Sequence, residues 1–237
     1  NVIDNVKLDY TINYLHQDIK NRPYRMARLT SNFGGMFGPY DDVAYLREHA
    51  VTQAGYMNRT WSSAQHENPE EGWEFYPNCG AVVDEYFWNI LGREQYENNN
   101  RLIASVTPSW EIIKGLTLRG RAATDLTFEG IELQEHNDKA LTFGNSGYYK
   151  TQNNRYSIVY GDIMLMFDRQ LTENFGLQFN VGWQGREEQM SNVWANTDGG
   201  LTVENWFNLN ASKNTVRGGQ SVQSFLKTAW LGTLTFQ

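Results

Sequence analysis

The sequence predicts an all-β chain: an antiparallel transmembrane β-barrel segment of about six or seven long strands, with long extracellular loops. Three observations predict it. Runs of alternating polarity reach about twice the usual strand of ~5–6 residues. The connections between them alternate long and short, as in outer-membrane barrels with long outward loops and tight inner turns. Mean hydropathy is −0.60 although aromatics reach 14%, a pairing that fits aromatic girdles on strands joined by polar loops.

The central element is Arg101–Glu129, a hairpin turning at Ile113-Lys114-Gly115. Its first arm sets Leu102, Ala104, Val106, Trp110 and Ile112 against Ser105, Thr107, Ser109 and Glu111. Its second arm sets Leu116, Leu118, Gly120, Ala122, Leu126 and Phe128 against Thr117, Arg119, Arg121, Asp125 and Thr127. Side chains alternate across a strand, so each arm carries one apolar and one polar face.

The chain opens with the cleanest two-residue period. Val6, Leu8, Tyr10, Ile12 and Tyr14 alternate with Lys7, Asp9, Thr11 and Asn13, then less regularly to Ile19 before Arg22-Pro23 breaks the run. The period is lost from Tyr24 to Asn100, which reads as a long loop ending in Asn98-Asn99-Asn100. Within it, Pro39-Tyr40-Asp41-Asp42 before Val43, Leu46 and Arg47 predicts a short helix.

Gly130–Gly147 reads as a second loop, and Tyr156–Phe167 as a strand of ambiguous phase. Val159, Ile163, Leu165 and Phe167 are taken as its apolar face with Asp162 opposite; a bulge between Tyr160 and Ile163 is the alternative. After the short link Arg169–Asn174, Phe175, Leu177, Phe179, Val181 and Trp183 alternate with Gln178, Asn180 and Gln184. Arg186–Gly219 reads as a third long loop. The last run, Ser221–Gln237, sets Val222, Leu226, Trp230, Leu234 and Phe236 against Gln223, Lys227 and Thr233.

The totals exclude several classes. No run of ~18 apolar residues exists, so a transmembrane helix is excluded. A net charge of −7 without a basic block argues against nucleic acid. One cysteine, Cys79, forbids an internal disulfide, and His16, His49, His66 and His136 have no metal spacing. Adjacent acids such as Asp41/Asp42, Glu70/Glu71 and Glu187/Glu188 point to opposite faces if extended, which suits solvated charges better than an acid/base pair. No catalytic residue, cofactor or metal site is expected.

Two constellations remain as candidate sites. Arg119, Arg121 and Asp125, with Gln178 and Asn180 two strands on, fall on polar faces that would line a barrel lumen; the alternative is a charge network against a neighbouring strand or a plug. The loop aromatics Trp61, Trp73, Tyr76, Trp88, Trp194 and Trp206 are candidate ligand contacts, able to stack on sugars or bury peptide side chains; the alternative is packing of the loops or against a lid. Tyr10, Tyr14, Trp110, Phe128 and Trp183 are expected at membrane interfaces.

An order of elements carries a resemblance. Phe87-Trp88-Asn89-Ile90-Leu91 and the Asn-rich stretch precede the hairpin, whose second arm reads Leu116-Thr117-Leu118-Arg119-Gly120-Arg121 with Asp125. Gly147-Tyr148-Tyr149 then precedes one strand, and Asn205-Trp206-Phe207-Asn208-Leu209 the last. Over nearly its whole length, as a diffuse pattern, the chain resembles the barrel of SusC/RagA-type TonB-dependent transporters of the Bacteroidetes outer membrane. The resemblance implies a 22-stranded barrel with a plugged lumen, a SusD-like surface lipoprotein lid, coupling to TonB, and import of an oligosaccharide or a peptide. Residues 1–237 would then be part of a single barrel domain embedded in outer-membrane lipid. The start at Asn1 and the stop inside an alternating run give the expectation of an internal piece, unstable alone because an open sheet exposes its edges. The rivals are a carbohydrate-binding β-sandwich and a passive porin.

Overall fold

A computed structural model describes residues 5–22, 42–57, 87–88, 90–173 and 175–236. Among them lie six strands: β1 (Val6–Lys20), β2 (Arg93–Ile113), β3 (Leu116–Glu135), β4 (Tyr148–Thr172), β5 (Phe175–Asn196) and β6 (Arg217–Phe236). They form one antiparallel sheet in sequence order, β1 to β6, and the sheet is not closed. A short helix, α1 (Val43–His49), forms in the stretch where the sequence predicts one, but Asp42 caps it instead of standing in its first turn, accepting from the Ala44 and Tyr45 amides at 3.0 and 3.1 Å.

The register carries one apolar face through all six strands. Val6 pairs with Trp110, Trp110 with Leu118, Leu118 with Leu165, Leu165 with Val181, and Val181 with Gly232. A slip of one residue in any pairing would turn that strand over. The apolar stretches Val6–Tyr14 on β1 and Leu102–Trp110 on β2 match the ~9–11 residues a tilted strand needs to cross a bilayer. Phe167 and Phe179 stack across β4 and β5, as do Phe175 and Phe236 across β5 and β6, with centroids 5.2 and 6.1 Å apart.

Little of this apolar surface is covered. Tyr10 is 75% exposed, Ile12 68% and Trp230 79%. The buried apolar side chains among the described residues are Ala50, Phe87, Leu201 and Ala211, all outside the strands. The single sheet thus has no second sheet packed on it among the described residues, which a β-sandwich requires.

Tight turns close one end. Gly115 sits at φ +87°, where a Cβ would meet the Asp168 carbonyl at 2.6 Å. Its own carbonyl accepts from the Asp168 amide at 2.8 Å, which ties this turn to β4.

The sequence reading needs correction at the other end. β2 begins at Arg93, β3 continues to Glu135, β4 begins at Tyr148, β5 continues to Asn196 and β6 begins at Arg217. Asn98–Asn100 and the first residues after Gly130 and Arg186, read as loop, are ladder. At Asn98–Asn100 and just after Arg186 both faces are polar, so alternation vanishes while backbone pairing continues; after Gly130, Ile131 and Leu133 alternate with Glu132 and Gln134 in the opposite phase. The asparagines are held by cross-strand bonds: Asn98 Nδ2 donates to Asp18 at 2.6 Å, and Tyr14 Oη to Asn100 at 2.7 Å. On β4, register runs unbroken through Tyr160–Ile163, with Asp162 opposite the apolar set; the irregularity lies at Gln170/Thr172.

Candidate functional site

The polar face is a lattice of paired charges and amides. Arg119 and Arg121, two residues apart on β3, project to one side, and the register sets Arg121 opposite Asp162 of β4. Asp162 Oδ2 accepts from Arg121 Nε at 2.7 Å, while its Oδ1 lies 3.8 Å from Arg119. Arg121 also donates to Tyr160 Oη at 3.0 Å and lies over that ring, and Tyr160 donates to Gln184 of β5 at 3.2 Å. The Asp162 carboxylate is almost wholly buried, yet its Oδ1 and the Arg119 Nε make no hydrogen bond among the described residues. Two guanidinium groups on one carboxylate leave the cluster with a net positive charge.

Asp125 does not join the neighbouring arginines. It pairs bidentately with Arg101 of β2, at 2.9 and 2.7 Å, because the register sets Arg101 one row away on the same face. Asn180 donates to Thr233 of β6 at 2.9 Å; Gln178 faces Asp168 and Thr235 in register. Nearer the loops, Glu129 accepts from Asn154 at 2.5 Å, and Asn154 accepts from Asn192 and Gln152. Glu188 is clamped by Arg186 and Lys227, each at 3.0 Å.

The loops β3–β4 and β5–β6 fold together into a platform at the open end. Asn137 and Asn205 exchange bonds, each side-chain oxygen accepting the other's backbone amide at 2.9 Å. The Leu201 amide donates to the Ser146 carbonyl at 2.9 Å, and Asn145 Nδ2 to the Leu201 carbonyl at 2.8 Å. Gly200, at φ +88°, lets the two backbones touch: a Cβ there would lie 2.7 Å from Asn145 and Ser146 backbone atoms. Leu201, fully buried, is the apolar pin. The platform also holds part of the first loop: Met57 N–H donates to the Asp138 carbonyl at 3.1 Å, and Tyr56 Oη to Glu204 at 3.0 Å. That carboxylate bond raises the Tyr56 phenol above its ordinary pKa.

The aromatic candidates divide. Trp61, Trp73 and Tyr76 lie outside the described residues. The Trp88 ring is stacked against Gly92 before β2, where a Cβ would meet it at 2.6 Å. Trp194 lies against Gly219 between β5 and β6, with Nε1 3.0 Å from where a Cβ would stand. Trp206 is exposed on the platform. No ring contact joins any two of these three among the described residues, so they do not make one stacking surface there. Sequence reasoning missed the Tyr160–Gln184 and Asn154–Asn192 links, which depend on register between distant strands. It also missed the Asn137–Asn205 exchange, for which Asn205 at φ +53° leaves no periodic signal.

Among the described residues no group of three or more His, Cys, Asp and Glu is placed to hold a metal. The arrangement offers hydrogen-bond donors and acceptors along one face of the sheet under a braced loop layer. That is the architecture of one segment of barrel wall, its sheet open at both edges among the described residues.

Neither a family model nor a curated protein matches the chain. Among solved structures it is similar to the RagAB peptide importer in its closed-closed state, with 14% identity over 100% of this chain and 24% of that one, and a TM-score of 0.66. It is also similar to the RagAB peptide transporter, with 15% identity over 65% of this chain and 17% of that one, and a TM-score of 0.56. The importer in its open-open state gives the same identity and coverage with a TM-score of 0.57. The chain spans about a quarter or less of the length of these neighbours. At such identity the likeness is one of fold, and at that level it agrees with the SusC/RagA-type resemblance.

Proposed function

We propose that residues 1–237 are wall and loops of a single outer-membrane β-barrel domain in a longer SusC/RagA-type, TonB-dependent transporter that imports a peptide or an oligosaccharide. The observation that carries this reading is the continuous register of one exposed apolar face and one hydrogen-bonded polar face across six strands. The fold likeness to the RagAB peptide importer supports it.

In this reading the apolar face meets outer-membrane lipid and the polar face lines the lumen. Arg119, Arg121, Asp125, Gln178 and Asn180 are lumen residues. The orphaned Asp162 Oδ1 and Arg119 Nε then await polar groups of a plug. The platform carries Trp206 and, together with Trp61, Trp73, Tyr76, Trp88 and Trp194, meets ligand beneath a SusD-like lipoprotein lid. Force from TonB acts through the plug and leaves the wall fixed. The chain itself performs no catalysis.

The test is uptake by cells whose full-length gene has been deleted and then restored. Growth on a peptide mixture or on an oligosaccharide should fail on deletion, return on complementation, and depend on TonB. Uptake that persists without TonB would mean a passive pore. A full-length protein recovered in the aqueous fraction would contradict the membrane reading itself.

A further inference from the structure

The strands run past the apolar band, and on the band's own side of the sheet they form a groove of about 460 Å3. Its first row is Asp18, Asn98, Gly130 and Asn153, which are register partners across β1 to β4. Its second row, two residues further on, is Lys20, Tyr96, Glu132 and Thr151. All eight lie on the face of Tyr14, Leu102 and Leu126 (even-numbered on β1 to β3, odd-numbered on β4), so this hollow is on the outside of the wall, not in the lumen. Gly130 makes the floor: a Cβ there would have only Asn153 Oδ1 near it, at 3.8 Å.

Its level is set by the band. The row just below holds His16, Asn100, Phe128 and Arg155, with the Arg155 guanidinium 5.5 Å from the centre of the Phe128 ring. Rows two residues apart on tilted strands rise by about 5 Å. The groove therefore stands about 5–10 Å above Phe128, and the headgroup layer extends about 5–8 Å beyond the hydrocarbon on each side.

Its chemistry selects the occupant. Lys20 is held by Glu94 at 3.2 Å and lies over the Tyr96 ring at 5.0 Å. Asp18 and Glu132 leave the groove acidic, which disfavours a phosphate. Carboxylate and amide oxygens keep spare lone pairs for hydroxyl donors, and Tyr96 offers a face for a sugar ring. The Thr151 and Asn153 side chains make no hydrogen bond among the described residues.

We propose that this groove seats the polyhydroxylated headgroup of an outer-leaflet glycolipid, whose acyl chains lie on Tyr14, Leu102 and Leu126 below. The proposal rests on the membrane reading above, and its test separates the two. The full-length protein is reconstituted in nanodiscs of phosphatidylethanolamine containing either digalactosyl diacylglycerol or phosphatidylglycerol, and retained lipid is counted by native mass spectrometry. Wild type should retain the galactolipid preferentially, and Gly130→Leu, which fills the floor, should lower retention about tenfold or more. Thr151→Leu, at the rim, should act the same way and decides the matter if Gly130→Leu loses its heat-dependent gel shift. Equal retention by wild type and variants, preference for phosphatidylglycerol, or full displacement by free methyl galactoside would each overturn the proposal. A wild type without a heat-dependent gel shift contradicts the membrane reading instead.

Discussion

From Val6 to Tyr14, β1 shows Val, Leu, Tyr and Ile on one face and Lys, Asp, Thr and Asn on the other; from His16 to Lys20 the apolar face has turned polar. The same change occurs on β2 between Leu102 and Asn100 and on β4 between Val159 and Arg155. On the proposed membrane reading, solvent partition near the tight turns dictates which way each strand faces, and one misplaced charge there is costly. Near the long loops both faces accept polar groups, and position is set by named hydrogen bonds: Asn98 to Asp18, Glu129 to Asn154, Asn137 to Asn205. The two halves should therefore break in different ways.

The largest effect is expected from charge in the band. Leu118→Lys and Phe179→Lys should each cost about 2–4 kcal/mol near the bilayer midplane and abolish the heat-dependent gel mobility of the full-length protein. Thr117→Lys and Gln178→Lys, one residue away on the polar face, should keep that mobility. Equal behaviour of all four would remove the distinction between the faces.

Next is Asp162→Ala, which leaves two guanidinium groups facing each other. Arg119 and Arg121 are partly exposed, so the loss should be about 1–2 kcal/mol, below that of a fully buried pair. Urea unfolding of the reconstituted protein measures it, and an unchanged midpoint would mean the cluster is immaterial to stability.

Gly200→Ala should cost more than about 1 kcal/mol, because the left-handed backbone and the contact with Asn145 both resist a Cβ. The damage should be local: faster proteolysis in the β3–β4 and β5–β6 loops while the barrel keeps its gel shift. A variant cut no faster than wild type would show that the platform does not depend on this contact. Smallest is Arg101→Ala, at about 1 kcal/mol or less and shrinking with salt, since its pair with Asp125 is open to water. An effect insensitive to salt would point to packing by the arginine stem.

The lower half was legible because the two-residue period shows directly which face of each strand is apolar. β1, the Ile113–Gly115 turn and the faces of β3 and β5 could be read from single residues. On β4, Asp162 shares parity with Tyr156, Ile158 and Tyr160, so the phase was settled only by its neighbours' register. The upper strands were misread as loop because Asn98–Asn100 carry no alternation and low strand propensity, and because Ile131 and Leu133 reverse the phase of β3 after Gly130, although backbone pairing continues. The site was half legible: parity identified Arg119, Arg121 and Asp125 as one face, but which carboxylate each arginine meets depends on register. Trp88 and Trp194 show the same limit, since the glycines beneath them, Gly92 and Gly219, explain their placement and one of the pair is distant in sequence.

The central claim is that neighbouring residues of one strand face different solvents. It is tested most directly by nitroxide labels at Val181→Cys and Asn180→Cys in the full-length protein, reconstituted in bilayers with every native cysteine, Cys79 among them, replaced by serine. The Val181 label should be relaxed chiefly by oxygen, which concentrates in the bilayer, and the Asn180 label relatively more by a water-soluble nickel chelate. The same oxygen-to-chelate ratio at both positions would contradict the account.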